Sequence, residues 1–254
     1  MAWDPAQYLA FDAPRLEPAI DLLNRIHLDA PEIIYDLGCG PGTVTRMLRE
    51  RWPEARVTGL DNSPEMLAQA PRNCPGAIWW EADIATWEPS GPADLIYSNA
   101  ALQWLSDHET LFPRLLGALA PGGVLAVQMP RNHQSPSWTL IAETAQDGPW
   151  AERLRPLVRR SPVGVTAYYY DLLAAHTSAL SIWETEYLHV LEGDNPVVAW
   201  TRSTALRPLL DALDGEQAPA FEAAYAERIR AAYPPRADGR TLFPFRRLFI
   251  TAVV

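Results

Sequence analysis

Residues 33–42 read Ile33-Ile34-Tyr35-Asp36-Leu37-Gly38-Cys39-Gly40-Pro41-Gly42. A short apolar run ends in an acid and then meets three glycines at alternate positions. The run is β-rich, as expected of a strand buried on both faces in a parallel sheet. Glycines directly after such a strand let the backbone turn sharply and approach a ligand with no Cβ in the way. Thr43 to Arg51 has helical composition, so a ligand at this loop would sit against a helix N-terminus.

Val57-Thr58-Gly59-Leu60-Asp61 is a second short apolar run ending in an acid. Asp61 stands close to the offset, about 20 residues past the glycines, at which nucleotide folds hold a ribose hydroxyl. A carboxylate suits that task because it accepts two hydrogen bonds at once. The dinucleotide fingerprint G-x-G-x-x-G needs a glycine where this chain has Thr43; the spacing here is G-x-G-x-G, with Asp36 just ahead of it. A carboxylate at that place repels a pyrophosphate and favours a cationic amino-acid group. The arrangement resembles the glycine loop of class I S-adenosylmethionine (SAM) dependent methyltransferases.

The next elements extend the pattern. Asn62-Ser63-Pro64-Glu65-Met66-Leu67 carries a cap residue and a proline suited to the first helical position, and predicts a helix to about Ala70 that stops before Pro71. A third strand, Ala77 to Glu81, leads to Asp83 and Ile84. The resemblance implies that Asp83 accepts from the adenine amino group while Ile84 packs on the ring; taken alone, an acid at a strand end is a common turn residue. A fourth strand from Ala93 ends at Asn99-Ala100, and places Asn99, Ala100 and Gln103 where open α/β sheets bind ligands, with Trp104 as a pocket wall. A helix from His108 or Pro113 to Leu119 stops at the turn Ala120-Pro121-Gly122-Gly123, and Val124 to Met129 is the fifth strand. His108, at a helix start, reads as a surface or capping residue. Four strand–helix units in succession give a doubly wound, mostly parallel, Rossmann-like sheet.

By resemblance, the cofactor would be held by Asp36, Gly38, Cys39, Gly40, Gly42, Asp61, Asn62, Met66, Asp83, Ile84, Asn99, Ala100 and Gln103. In that family the N-terminal segment folds over the cofactor, which adds Tyr8 and Arg15. Both lie ahead of or early in a helix whose apolar stripe is Leu16, Ala19, Ile20, Leu23 and Ile26. Beyond Met129 the pattern changes. Residues 132–178 are helical or irregular, Thr185 to Leu191 and Phe245 to Val254 read as sixth and seventh strands, and Val197 to Leu213 and Ala218 to Ala232 as two helices between them. Residues 1–254 form one domain on this reading: a cofactor-binding half at 1–131, and an α-helical lid from insertions 132–178 and 195–240 around the late strands 185–191 and 245–254.

Composition narrows the chemistry. The formal charge of −10 disfavours nucleic acid, whose binders need a basic face. All 21 Lys+Arg residues are arginine, which excludes a Walker loop, a pyridoxal-phosphate Schiff base and a lysine-assisted dehydrogenase site. Two cysteines make neither a disulfide framework nor a zinc site, and five scattered histidines show no metal-ligand spacing. Cys39 reads as packing. No signal peptide and no long apolar run is seen, so the expected setting is the cytoplasm, with no membrane partner and no metal.

SAM carries an electrophilic methyl, so what the protein must add depends on the acceptor. Amine, phenol and carbon acceptors usually need a base; a carboxylate with a pKa near 4 is already ionised at neutral pH. No base stands beside the fourth strand's exit. The later half instead offers arginines and aromatics: Arg131, Tyr168, Tyr169, Tyr170, Trp200, Arg202, Arg207, Arg246 and Arg247. The guanidinium fork suits carboxylates. Trp-Asp-Pro-Ala-Gln-Tyr-Leu at the start, Ser98 to Trp104, Trp200 through Arg207-Pro208, and Leu242 to Phe249 resemble the methyltransferases that esterify a small tricarboxylic acid. That resemblance implies a small anionic acceptor and no general base. It makes Arg207 and Arg246 the first choices for its carboxylates, followed by Tyr170 and Arg131, with Trp104 alongside. The residues by themselves leave two alternatives open. One is another small-molecule methyltransferase, including one acting on a carrier-bound acid; the other is a SAM-binding regulatory protein without turnover.

Overall fold

A computed structural model describes residues 12–158, 161–202 and 204–254, with side chains in the first helix from Leu16 onward. Its centre is a seven-stranded sheet: β1 (Ile33–Leu37), β2 (Arg56–Asp61), β3 (Ile78–Glu81), β4 (Ala93–Asn99), β5 (Leu119–Pro130), β6 (Ala179–Leu191) and β7 (Thr241–Val253). The order is β3-β2-β1-β4-β5-β7-β6. The pairs β1–β2, β1–β4, β2–β3 and β4–β5 are parallel, and β7 runs antiparallel to β5. The chain winds outward from β1 to β3 and then returns to lay β4 on the other side of β1. That reversal opens a crevice outside the carboxyl ends of β1 and β4, the usual ligand position in such sheets. The glycine loop leaves β1 at this place and Asn99-Ala100 leaves β4 beside it.

Helix α1 (Asp12–Asn24) buries Ala19, Leu22 and Leu23, and Ile26 is buried just past its end, but Ile20 is 41% exposed, so Leu22 replaces it in the expected stripe. The buried face is centred one position round the helix from the stripe chosen on spacing. Helix α2 (Thr43–Arg51) has the expected bounds. After β2, the expected single helix is two short ones, α3 (Pro64–Leu67) and α4 (Ala70–Asn73), and Pro71 falls in the first turn of the second. Proline is tolerated there because the first N–H groups of a helix have no intrahelical partner.

Of the four expected strand–helix units, the third, that of β3, lacks its helix. Between β3 and β4 the chain makes turns only, held by Arg114 of α5 (His108–Gly117), whose guanidinium donates to the carbonyls of Ile84, Ala85 and Trp87. Pro89, Gly91 and Pro92 in that stretch disfavour a helix. Pro113 lies inside α5. The turn expected at Ala120–Gly123 is absorbed into β5. There Ala93 pairs with Leu119, the register shifts before Leu95 pairs with Val124, and Gly122 takes φ +80°.

The later half contains α6 (Pro136–Gln146), α7 (Ala151–Leu154), α8 (Thr166–Leu173), α9 (Pro196–Arg202), α10 (Arg207–Asp211) and α11 (Gln217–Ala232). The helix expected over Val197 to Leu213 is thus two, and Pro208 lies in the first turn of the second. Both late strands begin earlier than expected. By contact density the chain forms two units. One takes in Ala13–Pro130, Pro162–Thr185 and Arg247–Val254; the other holds Arg131–Ser161 and Glu186–Arg246. The first has a core around Tyr35, Ile96, Phe112, Leu125, Tyr169 and Ile250. The second has its own around Trp150, Trp200, Phe221, Tyr225 and Phe243. Burial of this size in each is what sustains a folded unit.

Candidate functional site

The site is built from the turn after β1. The N–H groups of Gly38 and Cys39 both donate to the Leu60 carbonyl, at 2.8 and 2.9 Å, which ties the loop to the end of β2. Gly40 takes φ +54°, a left-handed conformation open to glycine, and a Cβ there would meet nothing within 4 Å among the described residues. Its N–H donates to Asp61 Oδ2 at 2.8 Å, while Asp61 Oδ1 accepts from the Ser63 N–H at 2.9 Å. Gly38, at φ +72°, is the opposite case: a Cβ would lie 2.2 Å from the Cβ of Ala101 and 3.8 Å from Ile84. Gly38 therefore lets the loop after β1 close against the chain leaving β4, and brings Ile84 to the same place.

Asp36 is 2% exposed, and its Oδ2 accepts from Thr45 Oγ1 of α2 at 2.6 Å. Burial pushes its carboxyl up to about 7, opposed by the Thr45 hydrogen bond and helped by the charge of Asp61. Burial, with Asp36 and Asp61 near, also pushes the Cys39 thiol up, so Cys39 is a packed side chain rather than a nucleophile. Asn62 is exposed at the end of β2, and Met66 is buried in α3 behind the Ser63 cap. Asp83 is exposed; its Oδ1 accepts from the Ala85 N–H at 2.9 Å and shapes the turn after β3.

At the exit of β4, Ala100 holds φ +54°, costly for a residue with a Cβ. Two hydrogen bonds fix it: its N–H donates to the Gln128 carbonyl at 2.9 Å, and its carbonyl accepts from Gln103 Nε2 at 2.7 Å. Around it, Asn99 Oδ1, Gln103 Oε1 and Gln128 Nε2 are buried with no hydrogen-bond partner among the described residues. Native proteins seldom leave such atoms unmatched, so three together mark a place built for a ligand. Gln128 was not singled out from sequence. It is fully buried in β5 as the register partner of Asn99, a relation across strands that linear spacing does not show.

The remaining candidates separate. Trp104 and Tyr170 are 57% and 61% exposed. Tyr169 and Trp200 are buried core residues, not pocket walls, and Arg202 pairs with Glu222 at 2.7 Å. His108 corrects the surface expectation. It is buried, with Nδ1 2.7 Å from the Tyr169 hydroxyl and Nε2 2.9 Å from the Leu102 carbonyl. Burial holds its pKa below the usual imidazole value. Arg131 and Arg246 are brought together, the Arg131 N–H donating to the Arg246 carbonyl at 2.9 Å; the Arg246 side chain faces Glu186 at 3.4 Å. Arg207 opens α10 and lies 3.6 Å from Asp211. Tyr8 is outside the described residues, as is the side chain of Arg15 in α1.

A hollow of about 430 Å³ lined by Trp87, Pro89, Arg114 and Leu119 lies at the amino ends of β4 and β5. That is the edge of the sheet opposite the glycine loop. Among the described residues no helix is long and apolar enough to cross a membrane, and no three His, Cys, Asp or Glu side chains gather as a metal ion would require.

Comparison with known proteins accords with this geometry. Residues 34–123 match a family model described as a methyltransferase domain. The chain is 52% identical over 251 residues to trans-aconitate 2-methyltransferase of Azoarcus sp. (strain BH72), covering 99% of this chain and 98% of the relative. It is 48% identical to the enzyme of that name from Yersinia pestis (strain Pestoides F), covering 98% and 97%. Among solved structures, the YcgJ protein from Bacillus subtilis superposes with a TM-score of 0.57 at 14% identity, over 93% of this chain and 97% of that one. Phosphoethanolamine N-methyltransferase 2 of Haemonchus contortus, solved with S-adenosyl-L-methionine, gives 0.55 at 16% identity, over 92% of this chain and 51% of that one. At such identities the structures speak for the fold alone.

Proposed function

The chain belongs to the trans-aconitate 2-methyltransferase family, and from that premise we propose that it transfers a methyl group from SAM to one carboxylate of trans-aconitate, giving the monomethyl ester. The observation that carries this is identity of about half over nearly the whole chain. The glycine loop, its acids and the unmatched amides at the β4 exit supply the fitting chemistry.

When bound, SAM supplies a methyl group on a positively charged sulfur, which an ionised carboxylate can displace without base catalysis. The chain's own residues then have to hold, orient and exclude. Gly38, Gly40 and Gly42 give the cofactor close backbone approach. Asp61 is assigned to the ribose, with Asn62 and Met66 beside it, and Asp83 with Ile84 to the adenine. Asp36 supplies negative charge for the cationic amino-acid end. Asn99 Oδ1 and Gln103 Oε1 are acceptors awaiting donors, and Ala100 sets their spacing; Cys39, Tyr8 and Arg15 complete the proposed cofactor set. Arg131, Arg207, Arg246, Tyr170 and Trp104 are assigned to the acid, the arginines to the carboxylates that do not react. Since a carboxylate is ionised at neutral pH, no side chain is assigned as general base. His108, held neutral between Tyr169 and a carbonyl, has no place in proton transfer. The protein acts through positioning, bringing attacking oxygen and methyl into line at about 3 to 3.5 Å.

We place the enzyme in the cytoplasm, with a small anionic acid as its partner and neither nucleic acid nor a membrane. Both cysteines are free and buried, and the charge of −10 opposes a nucleic-acid partner. A methyl-transfer assay over a panel of di- and tricarboxylic acids tests the reading. The expected result is base-labile ester formation, strongest with trans-aconitate. Methylation of an amine or phenol with no acid turned over would refute it.

A further inference from the structure

β7 carries Arg246 and Arg247 in succession, and successive strand residues point to opposite faces. The sequence favoured Arg246, whose side chain is half exposed beside Glu186. Arg247 is different: it is 4% exposed, and its Nη1 lies 3.5 Å from Gln128 Oε1. The register explains the meeting. Arg247 pairs with Pro130 and Phe249 with Gln128, so all four side chains share one face at the carboxyl end of β5. Asn99 on β4 pairs with Gln128 from the other side.

A guanidinium has donors only. The atom that Gln128 turns toward Arg247 is therefore its amide oxygen, and the amide nitrogen faces away. That nitrogen is buried and has no partner among the described residues. Its place in the sheet also matters. Asn99 ends the strand next to the glycine loop and Gln103 lies in the turn just after it, and their unmatched atoms are acceptors; Gln128, whose unmatched atom is a donor, lies one strand further from the loop. Acceptors near the loop suit a cationic cofactor. A donor beyond them suits an anion.

We propose that Gln128 is a specificity-determining residue of the acceptor site: its Nε2 donates to a carboxylate oxygen of the acid, and Arg247 is the positioning residue that fixes which end of the amide is presented. This rests on the carboxylate-methylating reading above. Phe249, in register with Gln128 and stacked on Trp183 at 4.9 Å with an 8° interplanar angle, gives the amide an apolar flank. A protonated amine, which has donors only, would bring a donor to a donor, so the same amide discriminates against it by mismatch.

The test uses the full chain with trans-aconitate as acceptor and S-adenosylhomocysteine as the cofactor probe. Gln128→Glu keeps the shape, pairs with Arg247 and presents oxygen to the acid; Gln128→Met removes the amide without adding charge. Both are expected to raise KM for the acid roughly ten- to hundred-fold, the scale of a lost hydrogen bond to a charged group, with kcat and S-adenosylhomocysteine affinity within about two-fold. Arg247→Met should raise KM likewise, and Arg247→Lys, which can still donate to Oε1, should recover part of the loss. An unchanged KM in both Gln128 variants, while the wild-type protein esterifies the acid, would overturn the proposal alone. A parallel fall in S-adenosylhomocysteine affinity would overturn it too, assigning the amide to the cofactor. No turnover of any acid by the wild-type protein would bring down the functional reading and this proposal together.

Discussion

Asp36 shows how much one residue can be made to do by its surroundings. Its folded-state carboxyl titrates near 7 against an ordinary 3.8, so between those values the native state holds a proton that the unfolded chain has released. Linkage then fixes the sign: the stabilisation is complete below pH 4 and is lost as pH rises through 7, amounting to an upper bound of about 4 kcal/mol. Ligand-free protein should lose stability from pH 5 to 8, and Asp36→Asn should flatten that slope; identical slopes in a melting series would contradict the assignment. Affinity for the cationic cofactor should rise over the same range, because the carboxylate form is the one that attracts it. Asp61 carries a second residue-scale expectation. It already accepts from the Gly40 and Ser63 N–H groups, so it anchors the loop in addition to the ribose role proposed for it. Asp61→Ala should weaken SAM binding by roughly 1.5 to 3 kcal/mol, read by calorimetric titration. Unchanged affinity would remove Asp61 from the cofactor site.

Among the elements, close approach is what glycine spacing provides. A Cβ on Gly59 of β2 would come within 2.5 Å of the Trp79 ring of β3 and 3.0 Å of Cys39 Sγ. Gly59→Ala should destabilise the protein by about 1 to 3 kcal/mol through overpacking, and combining it with Trp79→Leu should recover part of that loss; additive effects in thermal denaturation would mean the two do not touch. This contact could not be read from the linear motif, where Gly59 looked like one more small residue inside an apolar run. The first-half motifs were legible because each is local. The glycine triplet, the acid ending β2 and the Pro64 helix start all follow from torsion preferences and spacing within a few residues. His108 was misjudged for the opposite reason. Its place at the start of α5 invites a surface reading, but Tyr169, 61 residues later, meets its ring through a hydrogen bond.

For the molecule as a whole, two hydrophobic cores accompany one continuous chain. All the assigned cofactor positions within the described residues fall in the unit that contains β1 to β5. S-Adenosylhomocysteine should therefore slow hydrogen exchange in the peptides around 36–42, 61–67, 83–87 and 97–104, and at 100 times its Kd stabilise that unit by about 2.7 kcal/mol. Protection confined to residues 186–246 would relocate the cofactor site.

The sequence by itself determined the strand–glycine–helix start, the cofactor class its acids favour, and, through resemblance, the acceptor class. Those features are written in short-range torsions and in the order of motifs. Tertiary structure decided which face of each element is covered. It exposed Ile20 and buried Leu22, ended one expected helix at Arg202 and began another at Arg207, and sank His108 into the core. It also separated two consecutive arginines, leaving Arg246 half exposed and burying Arg247 against an amide 119 positions away in the chain. Burial depends on what packs from elsewhere, and strand register rather than sequence distance chooses that neighbour.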